Sequence, residues 1–251
     1  MASLRLIPIS KWAKYCILKE DTKLRPYLPE THPFTPSTLA TMLQAYRRAV
    51  VKAELGEGGS QVVFVHKRHR GFTWRDMHKR YRVAHFRDLS NQLPVFTGRE
   101  RCIVQRYIPL QRMHRRAADI RIIIQKNERD HFEVTGAFVK IAPTHMFITN
   151  VKQGGTIDTL AHYLDSCYPL NEQKALSIRR KLYDVSNTLG EGICKSYTNT
   201  LYGIDFGLNP KGHPYILEIN TKPSLEILQE IDSGMHKRAI ELRKYNQGEH
   251  T

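Results

Sequence analysis

Three oxygen-bearing residues near the C-terminus, Asp205, Glu218 and Asn220, stand at a spacing that could hold a hard cation. Between the first two lies Asn209-Pro-Lys-Gly-His-Pro214, turn chemistry flanked by apolar runs, so residues 205–218 read as a β-hairpin. A turn centred between Lys211 and Gly212 sets Asp205 directly opposite Glu218. Strand side chains alternate, so Ile216, Glu218 and Asn220 would share one face while Leu217 and Ile219 enter the core. Two carboxylates facing each other across an antiparallel pair repel. A divalent cation between them reverses the sign, with the Asn220 carbonyl as a third oxygen. Without a cation, the same alternation describes the solvent face of a strand.

Other constellations carry chemistry of the same kind. Lys52 lies on an apolar strand just before Gly56-Glu-Gly-Gly59. Backbone N–H groups of such a loop can approach phosphate oxygens while the lysine supplies a point charge. A glycine-rich hairpin turn explains the same residues. The loop is not a Walker loop, because the lysine precedes it and no Gly-Lys-Ser/Thr follows. Asp119-Ile-Arg121 places an acid and a guanidinium on one face of a strand, by itself a surface cross-pair. Lys140 follows in the next apolar run, and Asn150-Val-Lys-Gln-Gly-Gly155 comes after it.

The elements that must position these residues follow from periodicity. Pro26, Pro29 and Pro33 forbid a long helix in the entry segment 1–34. Thr35-Pro36-Ser37 caps a helix through Arg48, with Leu39, Met42, Leu43 and Tyr46 at helical spacing. Strands are predicted over 49–53, 61–65, 102–108, 119–125 and 133–142, and helices over 157–165, 171–190 and 224–245. Strands joined by hairpins and set between helical blocks indicate an α+β fold with antiparallel sheets. The division predicted is an entry segment 1–34, a smaller subdomain 35–108 and a larger one 109–251.

Composition sets outer bounds. The 251 residues contain 39 Lys and Arg against 24 Asp and Glu, a net charge of +15, which favours an anionic partner. Much of that charge falls between His66 and Arg87. This run is a solvated face, a contact for an acidic substrate, or, with Phe72, Trp74 and Tyr81 interleaved, a nucleic-acid contact. No apolar stretch approaches the roughly 20 residues that span a bilayer, and the N-terminus lacks the pattern of a signal peptide. The four cysteines form neither a C-x-x-C pair nor a disulfide framework, as expected of reduced thiols in a cytoplasmic protein.

Taken in order, these motifs resemble the ATP-grasp ligases, and most nearly their YheC/YheD branch from spore-forming bacteria, some members of which are spore-coat-associated. The resemblance rests on Ser10-Lys-Trp12, Leu28-Pro-Glu-Thr31, Gln105-Arg-Tyr-Ile108, Ala118-Asp-Ile-Arg121, Asn150 to Gly155 and Asp205 to Ser224. It implies two subdomains whose antiparallel sheets grip ATP between them. It assigns ATP contacts to Lys11, Lys52, Gly58, Gly59, Gln105, Arg106 and Ile108, with the Arg106 carbonyl and the Ile108 N–H meeting adenine. Asp205, Glu218 and Asn220 become ligands for one or two Mg2+ ions, with Mn2+ an alternative. Arg121, Lys140 and Asn150 become the catalytic set. The implied reaction is ADP-forming carboxylate–amine ligation through an acylphosphate, with an acidic peptide or protein among the candidate acceptors. Family members often carry an additional N-terminal domain. The chain is therefore expected to lack a full pre-ATP-grasp domain, with acceptor recognition reduced or completed by another subunit, a second copy included. Two other readings stay open: a nucleotide-binding, spore-coat-associated protein that does not ligate, and a basic nucleic-acid-binding protein.

Overall fold

The structure, a computed structural model, describes residues 10–55, 61–96, 101–144, 146–147, 149 and 154–248. The chain divides into two compact units, one holding Ile9–Cys16 and Pro29–Pro109, the other Ile17–Leu28 and Leu110–Thr251. The helix α1 (Lys11–Glu20) contributes residues to both.

The smaller unit is a sheet backed by two helices. Its elements are β1 (Thr31–Pro33), α2 (Pro36–Tyr46), β2 (Arg48–Ala53), β3 (Val62–Lys67), β4 (Phe72–Arg75), β5 (Arg80–Val83), α3 (Phe86–Phe96) and β6 (Cys102–Arg106). The strands run antiparallel in the order β1-β6-β2-β3-β4-β5. Thr35 and Thr38 begin α2 with a capping box: each side chain accepts from the other's backbone N–H, at 3.0 and 2.8 Å, and Pro36 holds the first helical position. Arg47, at φ 59°, ends the helix. Alternation along β2 and β3 sends Ala49, Val51, Val63 and Val65 against Leu39, Met42 and Leu43 of α2 and Leu89 and Leu93 of α3. The opposite face of β2 carries Arg48, Val50 and Lys52. The strand expected over 102–108 leaves the ladder after Arg106, just ahead of Pro109.

The larger unit is built from β7 (Arg112–Met113), β8 (Arg116–Lys126), β9 (Phe132–Ile141), β10 (Thr156–Thr159), α4 (Leu160–Cys167), α5 (Glu172–Ile193), β11 (Leu201–Leu208), β12 (Pro214–Asn220), α6 (Ile227–Ile231) and α7 (Ser233–Asn246). Its strands follow the order β10-β9-β8-β11-β12, with β7 attached to β8. One face buries Ile120, Ile122, Val139, Ile204 and Phe206 beneath Leu164 of α4 and Ile178, Leu182 and Leu189 of α5. On the other face, Ile123 and Phe138 pack with Leu228 of α6 and Ala239 of α7. The architecture is α+β with two antiparallel sheets.

Two helices differ from the sequence expectation. Residues 157–165 begin as strand, because Ile157 and Asp158 pair with Lys140 and Val139 of β9. The helix starts only at Leu160, where the Thr159 hydroxyl accepts from the His162 N–H at 3.1 Å. The helix expected over 224–245 is broken at Asp232, whose extended backbone (φ −160°, ψ 117°) stops α6. Its carboxylate then accepts from the Met235 N–H at 2.8 Å and caps α7.

Candidate functional site

The hairpin β11–β12 does place Asp205 opposite Glu218, by a route that alternation alone does not predict. Leu208 pairs with Pro214, Gly207 with Tyr215 and Phe206 with Ile216, so the turn is centred on Lys211. The Asn209 side-chain oxygen accepts from the N–H groups of Lys211 (3.0 Å) and His213 (2.9 Å), and Gly212 takes a left-handed φ of +85°. A β-bulge then intervenes. Between the pairs Phe206–Ile216 and Asp205–Glu218, Leu217 is the extra residue, and the bulge restores Asp205 to Glu218. The bulge also reverses the expected facing of two residues. Ile216, expected beside Glu218, is buried in the core with Ile219, while Leu217, expected in the core, lies with Leu110 over Gly207. Asn220 pairs with Gly203.

β8 and β9 add the cations to this face. Its register sets Arg121 against Asp205 on β11 and Asp119 against Lys140 on β9. Arg121 grips Asp205 with both prongs of its fork: Nε donates to Oδ1 at 2.5 Å and Nη2 to Oδ2 at 2.9 Å. Lys140 Nζ bridges the two acids, 3.1 Å from Asp205 Oδ1 and 2.9 Å from Asp119 Oδ1. The Thr149 hydroxyl donates to Asp119, and the Asn220 amide reaches Asp205 at 3.5 Å. Gly203 makes room for the pair. A Cβ there would come within 2.8 Å of Pro223 and within 3.2 Å of the Arg121 side chain.

The network sets its own protonation. Burial would raise the Asp205 carboxyl, but Arg121 and Lys140 outweigh it and hold the group down at about 2. Asp119 moves the other way. Burial and the Asp205 charge push it up to about 6 against the pull of Lys140. Burial disfavours both cations, yet Asp205 and Asp119 raise Arg121 and Lys140 above their ordinary values, so both stay charged.

Asp205, Glu218 and Asn220 form a hard-oxygen set of two carboxylates and an amide. Among the described residues no cluster of three or more His, Cys, Asp or Glu side chains is placed to hold a metal. Two carboxylates and an amide are a donor set that Mg2+ accepts alongside water and phosphate oxygens, and to bind it Asp205 would exchange an oxygen now held by Arg121 or Lys140. Asp119 and Thr149 also belong to the network, outside the catalytic, nucleotide and metal sets that the family resemblance implies. Asp119 was visible as the partner of Arg121 on one strand face. Thr149 carried no signal, since only the fold brings it to Asp119.

In the smaller unit, Lys52 lies on β2 between Val62 of β3 and Ile103 of β6. The Lys11 N–H donates to the Glu54 carbonyl at 3.0 Å, which fixes the start of α1 at the end of β2. Gln105 is buried, and its amide donates to the Thr31 hydroxyl at 2.9 Å. Arg106 places its guanidinium over the Tyr46 ring at 4.7 Å, and Ile108 is buried beyond the ladder. Gly58, Gly59 and Asn150 lie outside the described residues.

The fold has a counterpart among known structures. The C-terminal domain of K. lactis Pby1, described as an ATP-grasp enzyme interacting with the mRNA decapping enzyme Dcp2, superposes with a TM-score of 0.57 at 14% identity, over 97% of this chain and 75% of that one. The fold is therefore the ATP-grasp fold. The family model of YheC/D-like ATP-grasp proteins matches residues 7–245, and the chain belongs to that family. Two relatives from Bacillus subtilis (strain 168) are the endospore coat-associated proteins YheD, 25% identical over 94% of this chain, and YheC, 21% identical over 85%. The chain spans 54% of the first and 59% of the second, little more than half the length of the curated relatives it matches. Among the described residues no helix is long and apolar enough to cross a membrane.

Proposed function

We propose that this chain is an Mg2+-dependent, ADP-forming carboxylate–amine ligase. The observation that carries the reading is the grip of Arg121 and Lys140 on Asp205, on the face where Glu218 and Asn220 complete a hard-oxygen set. Asp205, Glu218 and Asn220 would hold the ion. When bound, Mg2+ neutralises charge on the β- and γ-phosphates of ATP. The nucleotide contacts fall to Lys11, Lys52, Gly58, Gly59, Gln105, Arg106 and Ile108, as in the family pattern.

In the reaction, an oxygen of the substrate carboxylate attacks the γ-phosphorus, the bond to the β–γ bridging oxygen breaks, and ADP leaves. The acylphosphate is then opened by an amine. The new C–N bond forms as the C–O bond to phosphate breaks, and the amine releases a proton. Arg121 and Lys140 stay charged and sit in a desolvated setting, where their stabilisation of phosphate oxygens is strongest. No side-chain nucleophile is required. The net charge of +15 suits an acidic peptide or protein as acceptor.

The test is calorimetric titration of a non-hydrolysable ATP analogue with and without Mg2+, on wild type and Glu218→Gln. Mg2+-dependent binding that the variant loses, together with ADP release by wild type in the presence of an acceptor, is the expected result. Full turnover in Glu218→Gln would sink the assignment. Nucleotide binding without ADP formation would favour a non-ligating role, as the coat-associated names of the two relatives suggest.

A further inference from the structure

The face of the smaller unit's sheet that carries Lys52 has a second basic feature at its other end. Around the start of β2 and the end of β3, a cavity of about 220 Å³ is walled by Arg48, Arg68, Arg75, Arg80 and His66, and no acidic residue lines it. Arg48 and Lys52 are four residues apart, about 13 Å along an extended strand. None of the lining residues belongs to the proposed nucleotide set, but Tyr107 stands between Arg106 and Ile108 of that set, so the experiment must separate the two sites.

Three of the guanidinium groups have a neighbour that positions them. Arg48 lies 5.5 Å over the Tyr107 ring and Arg75 lies 5.4 Å over Phe64, and the two rings meet edge to face at 6.0 Å. A guanidinium resting on a ring retains N–H donors for an oxyanion. Arg68 is steadied by a 3.3 Å bond from Nε to the Thr73 hydroxyl. Among the described residues, Arg48, Arg68 and Arg80 form no ion pair with a carboxylate. Burial, together with Arg68, Arg48 and Arg47, pushes the His66 imidazole below its ordinary value, as expected in a strongly positive environment.

Size and geometry narrow the ligand. The cavity falls below the roughly 300 Å³ of ordinary small-molecule pockets, so it suits one compact group. Trp74 is fully buried, and arginines already cover a face of Phe64 and of Tyr107. That arrangement disfavours the base stacking on which single-stranded nucleic-acid binding depends. The guanidiniums of Arg48, Arg68 and Arg80 are better compensated by a dianion than by a carboxylate, and a phosphoryl group carries close to two charges and three acceptor oxygens. We infer that this arginine cup binds a phosphoryl group, separately from the nucleotide, carried either by a small phosphate compound or by a phosphorylated peptide.

The test is calorimetric titration of the full chain with inorganic pyrophosphate in Mg2+-free buffer, alongside the NMR signal of the His66 ring. Binding that moves the His66 resonance is expected, and Arg75→Gln should weaken it at least about tenfold, the loss of a charged hydrogen bond. Arg80 is exposed, so Arg80→Gln repeats the test without disturbing the fold. Any pyrophosphate held at the nucleotide site is lost in Lys52→Gln, whereas the shift of the His66 resonance should persist there and vanish in the arginine variants. A phosphoserine peptide that binds more tightly than pyrophosphate assigns the source to a modified peptide; equal or weaker binding assigns it to a small phosphate compound. Absence of pyrophosphate binding would overturn the inference, as would its loss in Lys52→Gln but not in the arginine variants. Tighter binding of hexaglutamate than of either phosphate probe would overturn it in favour of a carboxylate ligand. Loss of Mg2+-dependent ATP-analogue binding in Glu218→Gln bears on the ligase reading and leaves this one untouched.

Discussion

Asp205 carries more of the larger unit than its place in a metal-ligand motif suggests. Its carboxylate neutralises both Arg121 and Lys140, and its side chain is only 7% exposed. Removing one member of a buried ion pair leaves an uncompensated charge, so Asp205→Asn should destabilise the protein by about 3–5 kcal/mol. Guanidinium-chloride unfolding would measure this; a wild-type midpoint would show that the network contributes nothing to stability. Gly203 offers a milder perturbation. A methyl group there must displace either Pro223 or Arg121, so Gly203→Ala should cost about 1–3 kcal/mol and misplace the fork on Asp205. Stability and Mg2+-dependent nucleotide affinity measured together would show both losses if Arg121 is the group that moves. Glu30 provides a pH probe in the other unit. Bonds from Tyr46 and His32 hold its carboxyl below the ordinary value. Stability from this group is therefore fully present above the unfolded-state pKa and is lost as pH falls through the lower folded value. Wild type should lose more stability than Glu30→Gln on acidification below about pH 4, and parallel pH–stability curves would refute this.

At the scale of elements, the hairpin combines what could be read with what could not. The turn residues Asn209 and Gly212 announce it, and Gly212 holds a φ of +85° with Ile178 2.7 Å from a would-be Cβ. Gly212→Ala should thus cost about 1–2 kcal/mol from the left-handed backbone alone, before any displacement of Ile178. A thermal melt unchanged from wild type would show that the turn adapts. The bulge at Leu217 has no comparable signature, because an apolar residue there fits either face. Residues 156–159 show the same limit. Ile157-Asp-Thr159 reads as the start of a helix, but β9 offers a free edge and ladder pairing overrides local pattern. Asp232 interrupts the last helix because its side chain caps the next one, a signal present in the sequence but shared by many exposed helical aspartates.

For the whole molecule, each unit holds its own apolar cluster, one around Leu43 and Val51, the other around Leu182 and Ile204. Both tryptophans, Trp12 and Trp74, belong to the smaller unit, so tryptophan fluorescence reports on that unit. Leu43→Ala and Leu182→Ala should each cost about 2–5 kcal/mol. Only the first should shift the fluorescence transition strongly, while far-ultraviolet circular dichroism follows both. Equal fluorescence shifts would show that the units unfold as one. What the sequence by itself determined was local: the alternation that pairs Asp119 with Arg121 on one face, the turn that brings Glu218 toward Asp205, the caps, and the excess of positive charge. The tertiary structure decided which strands become neighbours. The grip of Arg121 on Asp205 joins residues 84 apart in sequence, and Lys140 reaches both acids only because β9, β8 and β11 lie side by side. Such registers come from burying Ile120, Ile122, Val139 and Ile204 together under α4 and α5. That packing depends on the whole chain at once, so no single segment of the sequence encodes it.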